Sequence, residues 1–289
     1  MDRKIVIGRQ DGGTVLLHFL YNGLGLSHGE IKRLKFSDGI KIDGKSVTVR
    51  HTLAVGEVLT LCPPQKSSEN IPLCDIPLDI VYEDGDILAV NKPSGLAVHP
   101  SAGNREQTLA GAVMNYYKNT SFVFRAVSRL DKYTSGIVVV AKNAPCAYKL
   151  CREFEQNSVK KTYVGITERP IDPPKGEINA PIARQEGSVI KREVKKSGKP
   201  AVTAYETVET QREGTLLRLY PLTGRTHQIR VHLAYAGCPL KYDFLYGREE
   251  EGKHFLLHCQ GLEFSHPSTG QRLVLTAPAP FLKAGKEDF

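Results

Sequence analysis

The sequence predicts an α+β fold: a large, mainly antiparallel mixed sheet with flanking helices, preceded by a small α+β unit. Three observations carry this expectation. Strand-like segments dominate the C-terminal half, interrupted by one short helical pattern at residues 227–236. Strands and helices follow one another without the strand–helix–strand regularity of a parallel sheet. A stretch of linker composition, PPQKSSEN at residues 63–70, sets the first 62 residues apart. The expected organisation is a unit at 1–62, a linker at 63–76 and a large domain at 77–289.

In the first unit, Ser27 and Glu30 have capping-box spacing. The helix that follows turns Ile31 and Leu34 inward and Lys32, Arg33 and Lys35 outward. Residues 40–42 alternate as a strand, Asp43-Gly44 is a hairpin signal, and residues 45–49 form the return strand. Residues 56–61 make a further short strand. A basic helix face beside a small sheet suits a phosphate backbone, and equally suits plain solvation. In the large domain, VYEDGD leads into a strand at residues 87–90. A helix is expected over 108–117 with Leu109, Val113 and Tyr116 or Tyr117 inward. The continuous apolar strand 137–141 precedes a helix at 145–156 that buries Tyr148, Cys151 and Phe154. The short helix at 227–236 has Thr226 as N-cap and Gly237 just past its end.

Composition excludes several classes. With 289 residues and 40% hydrophobic content the chain can bury a sizeable core. No run of 18 apolar residues is long enough to span a bilayer, and MDRKIVIGRQDGG lacks the apolar stretch of a secretory signal. None of the six cysteines forms a C-x-x-C pair, and scattered thiols fit a reducing cytoplasm. His254 and His258 fall on one face of a strand, where two structural histidines are favoured over a metal pair. Gly23-Leu24-Gly25 follows no buried strand and is not a dinucleotide fingerprint. No metal or organic cofactor is expected. The net charge of +8 is uneven: residues 121–232 hold 20 Lys+Arg against 11 Asp+Glu, and residues 1–62 hold 9 against 6. A basic stretch of this kind fits a polyanionic partner.

Two segments could carry chemistry. In SRLDKYTSG (128–136), Arg129 and Asp131 leave the same side of an extended backbone, and Asp131 falls in a loop before a buried strand. A capping aspartate is the plainer reading of residues 129–136 alone. In TGRTHQIRVH (223–232), Arg225 lies just before a helix N-cap, where a cation opposes the helix dipole. A carboxylate partner would compensate, and Asp131 is the first candidate.

These segments, with DGDILAVNKPSGLAVHP (84–100) and KTYVG (161–165), stand in one order along the chain. Together they resemble the RluA/RluD family of RNA pseudouridine synthases, over residues 77–281. The first 62 residues resemble an S-four-like RNA-binding domain. The resemblance implies the pseudouridine synthase fold and isomerisation of uridine within structured RNA, with ribosomal RNA preferred over transfer RNA as the partner. The uracil is cut from its ribose, turned, and rejoined through carbon. Asp131 matches the family's essential aspartate, Arg225 the arginine that pairs with it, and Tyr163 the active-site tyrosine that stacks on the target base. Arg129 matches the arginine that fills the space left by the flipped nucleotide. Leu257 matches a leucine packed under the base. Arg230, Lys32, Arg33 and Lys35 are further candidate RNA contacts.

The sequence departs from the family at Ser128, where His is common, at Tyr133, where an acidic or small polar residue is common, at Cys259, where Ala is usual, and at Tyr242, where Gly is usual. The expectation is a cytoplasmic, monomeric enzyme. A non-catalytic RNA-binding or ribosome-assembly factor is the second reading. A glycoside hydrolase is disfavoured because no second carboxylate sits in the motifs.

Overall fold

The computed structural model describes residues 3–26, 28–62, 68, 70–101, 105–211 and 214–282. The chain divides into two compact units, residues 1–67 and 68–289. The expected cap Ser27 and linker residues 63–67 and 69 lie outside the described residues.

The first unit contains β1 (Arg3–Val6), α1 (Leu16–His18), α2 (His28–Phe36), β2 (Ile40–Ile42), β3 (Lys45–Ser46) and β4 (Val58–Leu61). Its antiparallel sheet has the order β1-β4-β2-β3. Ile31 and Leu34 of α2 enter a core with Leu16, Leu20, Leu53 and Leu59, and Lys32, Arg33 and Lys35 stay exposed. Asp43 (φ 48°) and Gly44 (φ 80°) make the left-handed turn between β2 and β3. The return strand ends at Ser46, three residues sooner than the alternation predicts.

The second unit contains β5 (Ile80–Glu83), β6 (Ile87–Lys92), α3 (Leu109–Tyr116), β7 (Ser135–Ala141), α4 (Ala144–Glu155), β8 (Lys160–Thr167), β9 (Lys175–Asn179), β10 (Ile182–Arg184), β11 (Arg192–Val194), β12 (Val202–Gln211), β13 (Gly214–Pro221), α5 (Gln228–Tyr235), β14 (Leu257–Ser265) and β15 (Arg272–Thr276). Nine strands form one sheet in the order β5-β6-β7-β14-β8-β13-β12-β9, with β15 also paired to β14. Only the β7–β14 contact is parallel. Strands β10 and β11 make a separate hairpin. The α+β class with a mainly antiparallel mixed sheet is what the sequence predicts.

The apolar runs of β6 and β7 are continuous because both faces are covered. Leu88, Val90, Val138 and Val140 pack with Leu109 and Val113 of α3. Ile87, Ala89, Ile137 and Val139 pack with Cys146 and Leu150 of α4. Thr108 caps α3 by accepting from the Gly111 amide, and Asn143 caps α4 by accepting from the Cys146 amide. Tyr148 corrects one expectation: it is 58% exposed, because α4 commits only a narrow stripe to the sheet. Part of the expected linker is also packed structure. Ser68 Oγ accepts from the Phe124 amide at 2.9 Å, and Ile71 and Ile76 join the α3 core.

Two polar clusters fix the turns that frame the β7 entry. The Lys92 side chain is fully buried, and its Nζ donates to the carbonyls of Pro93 (2.9 Å), Leu96 (2.8 Å) and Lys132 (3.1 Å). Three acceptors match the three protons of an ammonium. Burial pushes the amine down to about 7, and the charge of Asp131 pushes back. The Gly95 amide also donates to Lys132 O, and Ser94 Oγ to Tyr133 O, so the loop before β7 is stapled to the turn after β6. Gly136, with φ 109°, permits the parallel contact: a Cβ there would stand 2.3 Å from the Cys259 carbonyl oxygen. At the other end of β6, Asp84 Oδ1 accepts from the Asp86 and Ile87 amides, and Oδ2 from the Tyr82 hydroxyl and His266 Nε2. Burial alone would raise this carboxyl; the four donors outweigh it and hold it at about 2.

Lys92→Met takes a donor from three carbonyls, of which that of Lys132 keeps the Gly95 amide, and is expected to cost roughly 1–3 kcal/mol in urea unfolding at pH 7. Asp84 binds its proton less tightly folded than unfolded, so its contribution is present above the unfolded value of 3.8 and lost as pH falls through about 2. Asp84→Asn is therefore expected to lose about 2 kcal/mol at pH 7. Urea melts at decreasing pH check this: the gap to the wild type closes between about pH 4 and pH 2.

Candidate active site

Helix α5 organises the site. Residues Gln228 to Leu233 are all buried, so its polar members must find partners inside the protein. The Gln228 side-chain oxygen accepts from the Arg225 amide (3.0 Å) and Thr223 Oγ1 (2.7 Å), and its amide donates to the Val202 carbonyl (2.9 Å). His232 bridges Thr203 Oγ1 and the Ala180 carbonyl. The N-cap is His227 rather than Thr226, in a left-handed conformation with φ 57°.

Arg230, one turn into α5, is 3% exposed and meets two carboxylates. Its Nε and Nη2 donate to Asp243 Oδ2 and Oδ1, each at 2.8 Å, and its Nη1 donates to Asp131 Oδ2 at 3.2 Å. Asp243 is fully buried. The guanidinium lies over the Phe255 ring at 4.1 Å, with Tyr246 at 5.0 Å. Arg225 does not pair with Asp131. Its Nε donates to the Pro200 carbonyl at 2.9 Å. The dipole argument identified a cation that needs compensation but not the one that faces inward. Arg225 precedes the helix and is half-buried, whereas Arg230 sits on its buried side. Arg230 lines the cavity with little exposed surface, and its bonds go to two carboxylates.

A cavity of about 850 Å³ opens beside these groups. Asp131, 28% exposed, lines it together with Arg129, Tyr163, Arg225, His227 and Leu257. Arg129 is exposed and Leu257 is buried. Tyr163 on β8 stands opposite Cys259 on β14 and bonds its thiol. Burial first, then Cys259 and the charge of Asp131, push the Tyr163 hydroxyl well above its usual value, and burial pushes the Cys259 thiol up to about 12. Lys161, two residues earlier on the same strand, also lines the cavity, and burial pulls its ammonium down. Ser128 lies at the rim, where its hydroxyl accepts from the Val139 amide.

His258 is structural: Nδ1 meets Ser135 Oγ at 2.8 Å and Nε2 the Ala277 carbonyl at 3.0 Å. His254 stacks on Tyr133 with ring centroids 3.7 Å apart. Among the described residues no cluster of three or more His, Cys, Asp or Glu could hold a metal. Lys32, Arg33 and Lys35 belong to the first unit and are exposed on its helix. Sequence reasoning missed Asp243, Lys92 and His227. A usable signal existed for the first: an arginine inside the buried segment QIRVHL demands a buried carboxylate.

The arrangement places an arginine-held carboxylate, an aromatic ring and exposed cations around one cavity large enough for a nucleoside. Residues 86–235 match the family profile of RNA pseudouridylate synthases. Among curated relatives, the ribosomal large subunit pseudouridine synthase D of Vibrio parahaemolyticus is 37% identical over 272 residues, 88% of this chain and 83% of that protein. An uncharacterized RNA pseudouridine synthase of Bacillus subtilis is 36% identical over 264 residues, 89% and 93% of the two chains. Among solved structures, human RNA pseudouridylate synthase domain containing 1 superposes with a TM-score of 0.62 and 28% identity, covering 73% of this chain and 87% of that one. Profile, relatives and fold agree: the chain belongs to the RNA pseudouridine synthase family.

Proposed function

We propose that this enzyme converts uridines to pseudouridine in large-subunit ribosomal RNA, with Asp131 acting on the ribose of the target. The observation that carries the reading is the Asp131 carboxylate held at the cavity by the buried Arg230–Asp243 pair. The choice of RNA follows the Vibrio relatives, which are ribosomal large subunit pseudouridine synthases. Attack on the anomeric carbon and removal of a ribose proton both need an ionised carboxylate at a fixed position. The bond from Arg230 Nη1 anchors one oxygen of that carboxylate.

Tyr163 offers its ring face as a stacking platform for uracil. Its elevated hydroxyl makes it a phenol at neutral pH, suited to stacking and donating rather than to acting as a phenolate base. Arg129 is placed to occupy the gap that a flipped nucleotide leaves. No step requires a cofactor on this reading. The first unit is proposed as an RNA-binding domain, with Lys32, Arg33 and Lys35 on the phosphates. The basic stretch at residues 121–232 supports the same polyanionic partner. The proposed setting is the cytoplasm; no described helix is long and apolar enough to cross a membrane.

Asp131→Asn is expected to lower single-turnover pseudouridine formation on the order of 10⁴-fold or more, while RNA affinity is retained. Near-normal turnover would refute the assignment. Mapping pseudouridines in RNA from a strain lacking the gene identifies the target, and a missing site in transfer RNA alone would redirect the substrate reading. Replacing Lys32, Arg33 and Lys35 together by Ala is expected to reduce the slope of log affinity against log salt by up to roughly 0.7–0.9 per lost phosphate contact. Filter binding across a salt series measures it. An unchanged slope would assign the first unit another partner.

A further inference from the structure

His227 has a conformation that the helix does not require. It is the N-cap of α5, yet its φ of 57° is left-handed and its side chain makes no capping bond. Histidine tolerates this region better than most residues, but it is not a default choice there. The imidazole is only 12% exposed and reaches in two directions. Nδ1 lies 2.8 Å from the Tyr246 hydroxyl. Nε2 lies 3.8 Å from Asp131 Oδ2 and lines the cavity.

The neighbouring donor favours one tautomer. The Tyr246 oxygen accepts from the Arg192 amide at 2.9 Å, so its own proton is free to go to His227 Nδ1. With Nδ1 accepting, the ring proton of neutral histidine resides on Nε2, the nitrogen that faces the carboxylate. The chain runs from the Arg192 N–H to the Tyr246 O–H to Nδ1, and ends on an Nε2–H turned toward Asp131. Burial keeps the ring neutral by lowering its affinity for a second proton. Asp131 and Asp243 act against that, and Arg230 and Arg192 act with it. Tyr246 stands on the loop between α5 and β14, Arg192 begins β11, and Asp131 precedes β7. The relay therefore joins three segments distant in sequence.

We infer that His227, locked by Tyr246 in the Nε2–H form, is a positioning residue for the reactive carboxylate of Asp131. The Arg230 and His227 contacts both fall on Oδ2. Oδ1 has no hydrogen-bond or ion-pair partner among the described residues and is the oxygen left for the ribose. The Arg230 bond on one side and an Nε2–H 3.8 Å away on the other, longer than a direct hydrogen bond, together restrict rotation of the carboxylate about its Cβ–Cγ bond. A single arginine contact at 3.2 Å leaves that rotation open. This inference rests on the reading that Asp131 does the chemistry.

The test compares His227→Asn, Tyr246→Phe and Asp131→Asn in the full-length enzyme on a uridine-containing ribosomal RNA fragment, by single turnover between pH 5.5 and 8.5. Asparagine accepts the left-handed backbone, so His227→Asn is expected to fold. Both His227→Asn and Tyr246→Phe should lower the rate of the chemical step about 10- to 100-fold at pH 7.5 without changing RNA affinity. The Tyr246→Phe enzyme carries a further signature. Without the tyrosine proton, Nδ1 can hold the ring proton and Nε2 then turns a lone pair to the carboxylate. Acidification protonates the ring and restores Nε2–H, so its rate should climb toward the wild-type rate at the acid end of the range, because burial sets this ring below the ordinary imidazole value. A merely structural loss would not recover in acid. Wild-type rates in both variants across this range overturn the inference, as does a loss confined to RNA affinity. If those variants are impaired and Asp131→Asn is active, the reading of Asp131 falls and this inference falls with it. If Asp131→Asn is inactive and the two variants are not impaired, only this inference falls.

Discussion

The site depends on one buried ion pair. Arg230 and Asp243 are 3% and 0% exposed, and neither charge could stay in the interior alone. Their bidentate geometry fixes the guanidinium plane, and the Phe255 ring beneath it closes one face. One edge of the guanidinium, its Nε–H and one N–H of Nη2, is spent on Asp243. Nη1 is held in the same plane, and it donates to Asp131. A residue on the loop before β7 is thus positioned by α5 and by the loop that follows it, about a hundred residues along the chain. Mutual dependence follows: without Asp243 the arginine would be a buried uncompensated cation, and without the arginine Asp131 would have no anchor.

The sheet supplies the second constraint. Both faces of β6 and β7 are covered by helices, so neither strand can slide without exposing a full apolar row. Lys92 carries that rigidity into the Asp131 loop by gripping the Lys132 carbonyl from the end of β6. Gly136 then brings β7 against β14 at Cys259, which stands opposite Tyr163. The carboxylate and the ring that flank the cavity are spaced by sheet register and not by a loop alone. Reaction geometry needs that precision, because small displacements of a catalytic group are costly.

What the sequence revealed and what it hid have physical explanations. The apolar runs 87–90 and 137–141, the helix expected over 108–117 and the Gly237 stop are local signals, and local structure obeys them. The order of the motifs located the aspartate, the tyrosine and the cavity-lining arginines. Which arginine meets Asp131 was not legible, because it depends on which side of α5 is buried and on a partner 13 residues further on. Tyr148 looked like a core residue by helical spacing, yet a helix lying on a sheet buries only a stripe, and its width is a tertiary property. Residues 68–76 read as linker by composition because their anchoring is a few long-range contacts, such as Ser68 to Phe124. The left-handed His227 left no local trace at all, since its conformation answers to Tyr246 and Asp131.

The exchange between Arg225 and Arg230 also changes how the positive charge is to be read. Arg230 faces two carboxylates, so the buried trio carries a net negative charge and adds nothing to attraction for a polyanion. The cations at the cavity without a carboxylate partner among the described ion pairs are Arg129, Lys132, Lys161 and Arg225. Arg225 spends its Nε on the Pro200 carbonyl, which orients the side chain and leaves its two terminal nitrogens for a ligand. On the proposed reading these four meet the RNA backbone while Arg230 and its two carboxylates prepare the chemistry. The division is electrostatically necessary. A cation free enough to follow a phosphate cannot also hold a carboxylate still, and a cation buried enough to hold it still cannot reach the phosphate.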